Sequence, residues 1–217
     1  MTGRFTVYGA AGSGSVPVEA AMTLLGLDYD VVEGATWSHD EAILARVEAV
    51  NPLRQIPAVV TPGGETLTES AAILTWLADA HPGSRLSPAP DDPRRGQFLR
   101  WMTFIPASIY SLYWVRDDPT RLVPPELADQ VKARTAGRIA DCWRMMDSQL
   151  APGRYLLGDE MTVLDLYVAV VSRWGPRRRR FYAEAPKMTP VVRRVDEDPR
   201  LADFWAKRFP FAEGWEG

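Results

Sequence analysis

Residues 81–94, "HPGSRLSPAPDDPR", divide the chain into two regions of different periodicity. Their density of proline, serine, glycine and aspartate makes a linker that neither a helix nor a central strand can cross. Before this stretch, short β-branched and aromatic runs alternate with helix-forming segments. After it, only segments of helical period occur. The expected organisation is therefore an α/β domain over 1–80, a linker over 81–93 and an all-helical domain over 94–217. With 217 residues, of which 46% are hydrophobic, each part is large enough to bury a core.

In the first region, "RFTVYGA" (4–10) reads as a strand and "AGSGS" as a loop of small residues. "VPVEAAMTLL" (16–25) reads as a helix with Pro17 in its first turn and Gly26 as its stop. "DYDVVEG" (28–34) and "HDEAILARVEAV" (39–50) repeat the strand–helix pair, and "PAVV", "TPGGE" and "TLT" make a hairpin. A helix over 69–80 completes the order β-α-β-α-β-β-α. The second region offers helical segments at roughly 92–116, 124–150, 162–174 and 188–208, a bundle by pattern.

A formal charge of −3, from 25 basic and 28 acidic residues, gives no overall field to recruit nucleic acid or an anionic membrane. No apolar run approaches the roughly 18 residues of a membrane span, and "MTGRFTVYGA" lacks a leader's pattern, so a cytoplasmic location is expected. Cys142 is the single cysteine and cannot close an internal disulfide, and no Cys/His cluster has metal-ligand spacing. Any thiol chemistry would use a thiol supplied by a ligand, and no metal is expected.

Three short stretches are candidates for a site. In "QIPAVV", Pro57 heads a strand, the one place inside a sheet where proline's missing N–H does no harm. It either simply starts the strand in trans, or sits in a turn whose cis bond leaves the backbone of Ile56 facing a partner. Ser13 and Ser15 stand between the first strand and its helix, where they either cap the helix or face a ligand beyond the strand's carboxyl end. Glu69 and Ser70 begin the last helix of the first region. They either complement its dipole, or bind the ammonium and carboxylate of an α-amino acid head group.

Taken together, the β-α-β-α-β-β-α order, the proline of "QIP", the "ES" one hairpin later and the all-helical second half resemble the glutathione transferases over almost the whole chain. The resemblance implies a thioredoxin-like first domain, glutathione as co-substrate and alkyl or aryl transfer to its sulfur in detoxification of small hydrophobic electrophiles. It also implies a homodimer. It implies a cis Pro57, with the backbone of Ile56 bonding the cysteine of glutathione and Glu69 and Ser70 holding the γ-glutamyl end. Gln55 would hold the glycyl carboxylate, with Arg54 as a second donor, after the family-like start Asn51-Pro52.

For the thiol, Ser13 matches the activating serine of serine-type relatives, Ser15 is the second candidate and Tyr8 the third. The cysteine of bacterial beta-class members would fall at Gly14, so a disulfide reductase ranks last among the activities. A peroxidase shares the same thiolate, and a non-catalytic carrier of glutathione or hydrophobic ligands is the main alternative to the enzyme.

Further along, "FLRWMTFIPASIYSLYW" (98–114) is rich in aromatics. Most of them are expected in the core, but Tyr110, with Trp114 and Phe104, would line the second-substrate pocket that the family keeps between its domains. Thr162 and Asp165 have capping-box spacing before an apolar helix and read as structural. The run Arg177–Arg180 reads first as a solvated or interface surface, then as an attractor for anionic substrates, and last as a nucleic-acid contact.

Overall fold

The computed structural model describes residues 3–217. In chain order its regular elements are β1 (Phe5–Gly9), α1 (Val16–Leu24), β2 (Tyr29–Glu33), α2 (Glu41–Glu48), β3 (Ala58–Val60), β4 (Thr66–Thr68), α3 (Ser70–Ala80), α4 (Arg95–Phe104), α5 (Ser111–Asp117), α6 (Ala128–Gln149), α7 (Val163–Val171), α8 (Arg178–Glu184), α9 (Thr189–Asp196) and α10 (Ala202–Arg208). The first region is thioredoxin-like and the second helical. Among the described residues, no helix is long and apolar enough to cross a membrane.

The four strands form one mixed sheet in the order β2-β1-β3-β4, with β1 parallel to β2 and antiparallel to β3. Two of the three pairings follow from the connections: α1 supplies the crossover that the parallel β1–β2 pair needs, and "TPGGE" supplies the tight turn of the antiparallel β3–β4 pair. Register fixes what meets at the sheet's end. Tyr8 lies opposite Ala58 and Ala58 opposite Thr68. The residues just past these pairs, Gly9 and Ala10 on one strand, Pro57 on the next and Glu69 on the third, therefore gather at a single end.

The chain divides into two compact units, Met1–Ala89 with Asp196–Phe211, and Pro90–Val195 with Ala212–Gly217. The expected boundary at 81–93 thus falls between Ala89 and Pro90. Residues 196–211, expected in the helical part, group with the first compact unit. Pro199 is the physical reason the chain can change partners there. It ends the run expected over 188–208, and Asp198 accepts the Arg200 N–H at 3.0 Å to start a new turn. Leu201, Phe204 and Trp205 of the returning segment are buried.

In the second unit the expected helix over 92–116 is also broken. Around Pro106 the backbone widens to π-helical turns over Ile105–Tyr110 between α4 and α5, since proline has no N–H for the regular ladder. The helix α8 arises inside the arginine run, where no apolar period announced it. Its Arg178 is fully buried and donates to the carbonyl of Ala169 at 2.7 Å, which corrects the reading of the whole run as a solvated surface. Thr162 and Asp165 form a complete capping box at the start of α7.

Candidate functional site

Neither serine after β1 behaves as an ordinary helix cap. Ser15 occupies the cap position of α1 but its side chain bonds no backbone N–H of the helix's first turn. Its hydroxyl has two acceptors in reach, Glu19 Oε1 at 2.6 Å and the Ala10 carbonyl at 3.3 Å. The charged and closer oxygen takes the hydrogen. With that hydrogen committed, the 2.9 Å contact between the two serine hydroxyls can be filled only by a hydrogen from Ser13. Ser13 Oγ in turn accepts the Ser15 N–H at 3.2 Å and shares the Ala10 N–H, at 3.3 Å, with Ser15 Oγ at 3.1 Å. Its own hydrogen, held by a neutral hydroxyl rather than by a carboxylate, is the one in the loop that can be redirected toward an incoming group.

Glu19 ends this chain of hydroxyls and is fully buried. Arg208 holds it with two bonds, Nε to Oε2 at 2.6 Å and Nη2 to Oε1 at 3.1 Å. Burial works most strongly against the Arg208 charge, but the bond to Glu19 together with the charges of Glu19 and Glu33 outweighs it and keeps the guanidinium above its ordinary value. The packing of this cluster on β1 depends on Gly9: a β-carbon there would stand 2.3 Å from Ser15 Oγ and 3.2 Å from Glu19 Oε1.

Across the end of the sheet, the Ile56–Pro57 bond is cis, with Pro57 buried and Ile56 partly exposed. Asn51 shapes the turn before it. Its side-chain amide donates to the Gln55 carbonyl at 2.8 Å and its side-chain oxygen accepts the Leu53 N–H at 3.2 Å. Arg54 is exposed and holds Glu48 through Nε and Nη2 at 3.1 and 2.7 Å, which occupies two of its five N–H donors. At the start of α3, Ser70 is buried and Glu69 exposed, and Glu69 has φ 64°. A non-glycine residue in the left-handed region stores strain, which is most often tolerated where a site needs the shape. Tyr8, on β1, is partly buried.

Residues 13–80 match the family model for the N-terminal domain of glutathione S-transferases, and residues 124–208 match the model for their C-terminal domain. The chain belongs to the glutathione transferase family. Over 197 residues it is 28% identical to the uncharacterized GST-like protein YncG of Escherichia coli K12, covering 91% of this chain and 95% of that one. It is 24% identical to glutathione S-transferase GstA of E. coli O157:H7 (71% of this chain, 74% of the relative) and 24% identical to maleylacetoacetate isomerase of Mus musculus (69% and 67%). A glutathione transferase homolog from Sulfitobacter, solved with bound glutathione, has the same fold at TM-score 0.81 and 23% identity, over 94% of this chain and 98% of that one.

Within this transferase-family chain the residues singled out from sequence divide in two. Ser13, Ser15, Ile56, Pro57, Glu69 and Ser70 come from segments gathered at one end of the sheet, with Gln55 and Arg54 on the turn that leads to it. The aromatics of 98–114 belong to the second unit. Trp101 is fully buried there with Phe104 edge-on to it at 5.4 Å, and Tyr110 packs on Trp174 at 4.8 Å. Trp114 is 47% exposed beneath the Arg121 guanidinium. Sequence reading missed Glu19 and Arg208. The signal for Glu19 was available: it is the single charged residue of a helix whose other residues are mostly apolar, and a buried carboxylate needs a partner. Arg208 carries no such signal.

Proposed function

We propose that this chain binds glutathione at the end of β1 and uses the Ser13 hydroxyl to stabilise its thiolate, which then attacks a small hydrophobic electrophile. The observation that supports this most is the hydrogen-bond order of the loop: two backbone N–H groups fix Ser13 Oγ and leave its hydrogen redirectable, while Ser15 is committed to Glu19. The Ile56 backbone would bond the cysteine of glutathione, Glu69 and Ser70 its γ-glutamyl end, and Gln55 and Arg54 its glycyl carboxylate. No metal takes part in this scheme.

A free thiol has a pKa near 8.5 and is only about 3% ionised at pH 7. Lowering that value by about two units requires the site to favour thiolate by about 2.7 kcal/mol. One charge-assisted hydrogen bond contributes about 1.5–3 kcal/mol and the N-terminus of α1 a few tenths more. Ser13 therefore needs only to donate, not to act as a base. The thiol proton leaves to water, the sulfur lone pair forms the new C–S bond, and the leaving group departs with its electron pair.

The test is to follow thiolate absorbance of glutathione bound to the protein against pH. Wild type should ionise near pH 6.5 and Ser13→Ala near 8.5, a loss of about fiftyfold in thiolate at pH 6.5. Ser15→Ala should keep most of the displacement. An unmoved thiol pKa in wild type would leave the ligand-carrier reading in its place.

The isomerase relatives support a second reading, in which the same thiolate adds to a substrate double bond and leaves again after rotation. Glutathione would then be regenerated rather than consumed, so its stoichiometry separates the two. For binding itself, Asn51→Ala should raise the glutathione Kd about tenfold, because two bonds that hold the 53–57 turn are lost, while the bound thiol pKa stays in place. Calorimetric titration reads the affinity.

A further inference from the structure

Arg208 closes a circuit that the transferase reading alone does not require. It is the last residue of α10, and 189 positions separate it from its partner Glu19. The same helix end touches the serine loop twice more. The Arg208 carbonyl accepts the Gly12 N–H at 2.8 Å, and the Phe209 ring lies 3.5 Å from where a Gly12 β-carbon would be. A returning helix that served only to cover the core would need neither the ion pair nor the backbone bond.

The carboxylate has two opposed effects on a thiolate held by Ser13. It turns the Ser15 hydroxyl away from Ser13, so that Ser15 Oγ acts as an acceptor and Ser13 keeps the donor hydrogen. It is also an anion only three hydrogen bonds from the sulfur, about 8 Å away. At that range, with an effective dielectric near 20, an unpaired charge would displace the thiol pKa by about one unit or more in the wrong direction. We propose that Glu19 and Arg208 are positioning residues for thiol activation: Glu19 orients the serine pair, and Arg208 cancels the field that Glu19 would otherwise turn against the thiolate. This rests on the reading of Ser13 as the thiolate donor.

The experiment is the glutathione thiolate titration on the full-length protein, with folding of each variant checked by chemical denaturation. Arg208→Met should raise the bound thiol pKa by about one unit, a tenfold loss of thiolate below it, because Glu19 is left unbalanced. Glu19→Gln, whose amide oxygen can still accept the Ser15 hydroxyl, should lower it, because the Arg208 cation then lacks its bonded counter-charge. The double variant should return close to wild type, and Arg208→Lys, which keeps the charge, should stay there. A pair that merely ties α10 to α1 would lower stability in each variant without these opposite displacements. Folded Arg208→Met and Glu19→Gln proteins with the thiol pKa unmoved, or moved in the same direction, overturn the inference. If Arg208→Met does not fold, Glu19→Gln decides alone: a lower value supports the inference, and an unmoved or raised one ends it. Ser13→Ala separates the two levels. If it too leaves the thiol pKa in place, the donor reading falls and this inference with it. If Ser13→Ala abolishes the displacement while the Glu19 and Arg208 variants do not touch it, only the inference fails.

Discussion

Asp165→Ala should lower stability at neutral pH by about 3 kcal/mol, which in a chain of this size corresponds to a melting temperature about 6–12 °C lower. The carboxylate is fully buried and accepts the Leu156 N–H, the Thr162 N–H and the Thr162 hydroxyl, each at 2.8 Å. Alanine leaves these donors without their acceptor in the interior, and the first turn of α7 without its reciprocal cap. Burial, working against those three donors, pushes the Asp165 carboxyl up to about 6. An unfolded aspartate titrates near 3.9, so the folded protein holds this proton more tightly. The additional stability that this tighter proton binding contributes is fully present below about pH 4 and is lost as pH rises through about 6. The gap between wild type and Asp165→Ala should therefore widen by about 3 kcal/mol as pH falls from 7.5 to 4, at about 1.4 kcal/mol per pH unit. Urea denaturation of both proteins across that range measures it. A gap that stays constant with pH would mean that Asp165 does not titrate in this window.

The capping box is legible in sequence because its logic is local. Thr162 and Asp165 are three residues apart, and the run that follows is apolar on every side. The element order of the first region, too, is carried by short-range signals: turn residues between 61 and 65, a proline at the head of β3 and a helix between the two parallel strands. What stays hidden depends on distance or on partners. The apolar face of α10 reads the same whichever unit it covers, so nothing in 196–211 reveals that it returns to the first. In α8 only Arg178 and Phe181 are buried, and no apolar period can be drawn from one arginine and one phenylalanine. Pro106 was visible inside the long helix, but proline can end a helix, kink it or widen it. Only the packing around Trp101, Ile105 and Ile109 selects the wide turn. At the site, residue types pointed to the two serines but not to their order of donation, which follows from a carboxylate one helical turn away and a guanidinium at the far end of the chain.

Gly9→Ala should disable the site while leaving both serines in the sequence. Gly9 has no left-handed backbone to protect, so the reason for glycine is space. A β-carbon would lie 2.3 Å from Ser15 Oγ and 2.4 Å from Ser15 Cβ, closer than non-bonded atoms approach. Ser15 cannot move aside freely, because it is fully buried at the first turn of α1 and bonded to Glu19, itself clamped by Arg208. Relief must come from shifting the start of α1 away from β1, at a cost of about 1–3 kcal/mol for overpacking. The same shift carries off the Ser15 N–H that holds Ser13 Oγ at 3.2 Å and the hydroxyl partner at 2.9 Å. The bound glutathione thiol should then ionise near its free value of about 8.5, as in Ser13→Ala, although the donor itself is intact. Loss of stability alone would come from any tight glycine in the core. Loss of stability together with loss of thiol ionisation is what the Ser13–Ser15–Glu19–Arg208 order requires. A Gly9→Ala protein that is destabilised yet still ionises bound glutathione would mean that Ser13 keeps its aim without the backbone N–H of residue 15.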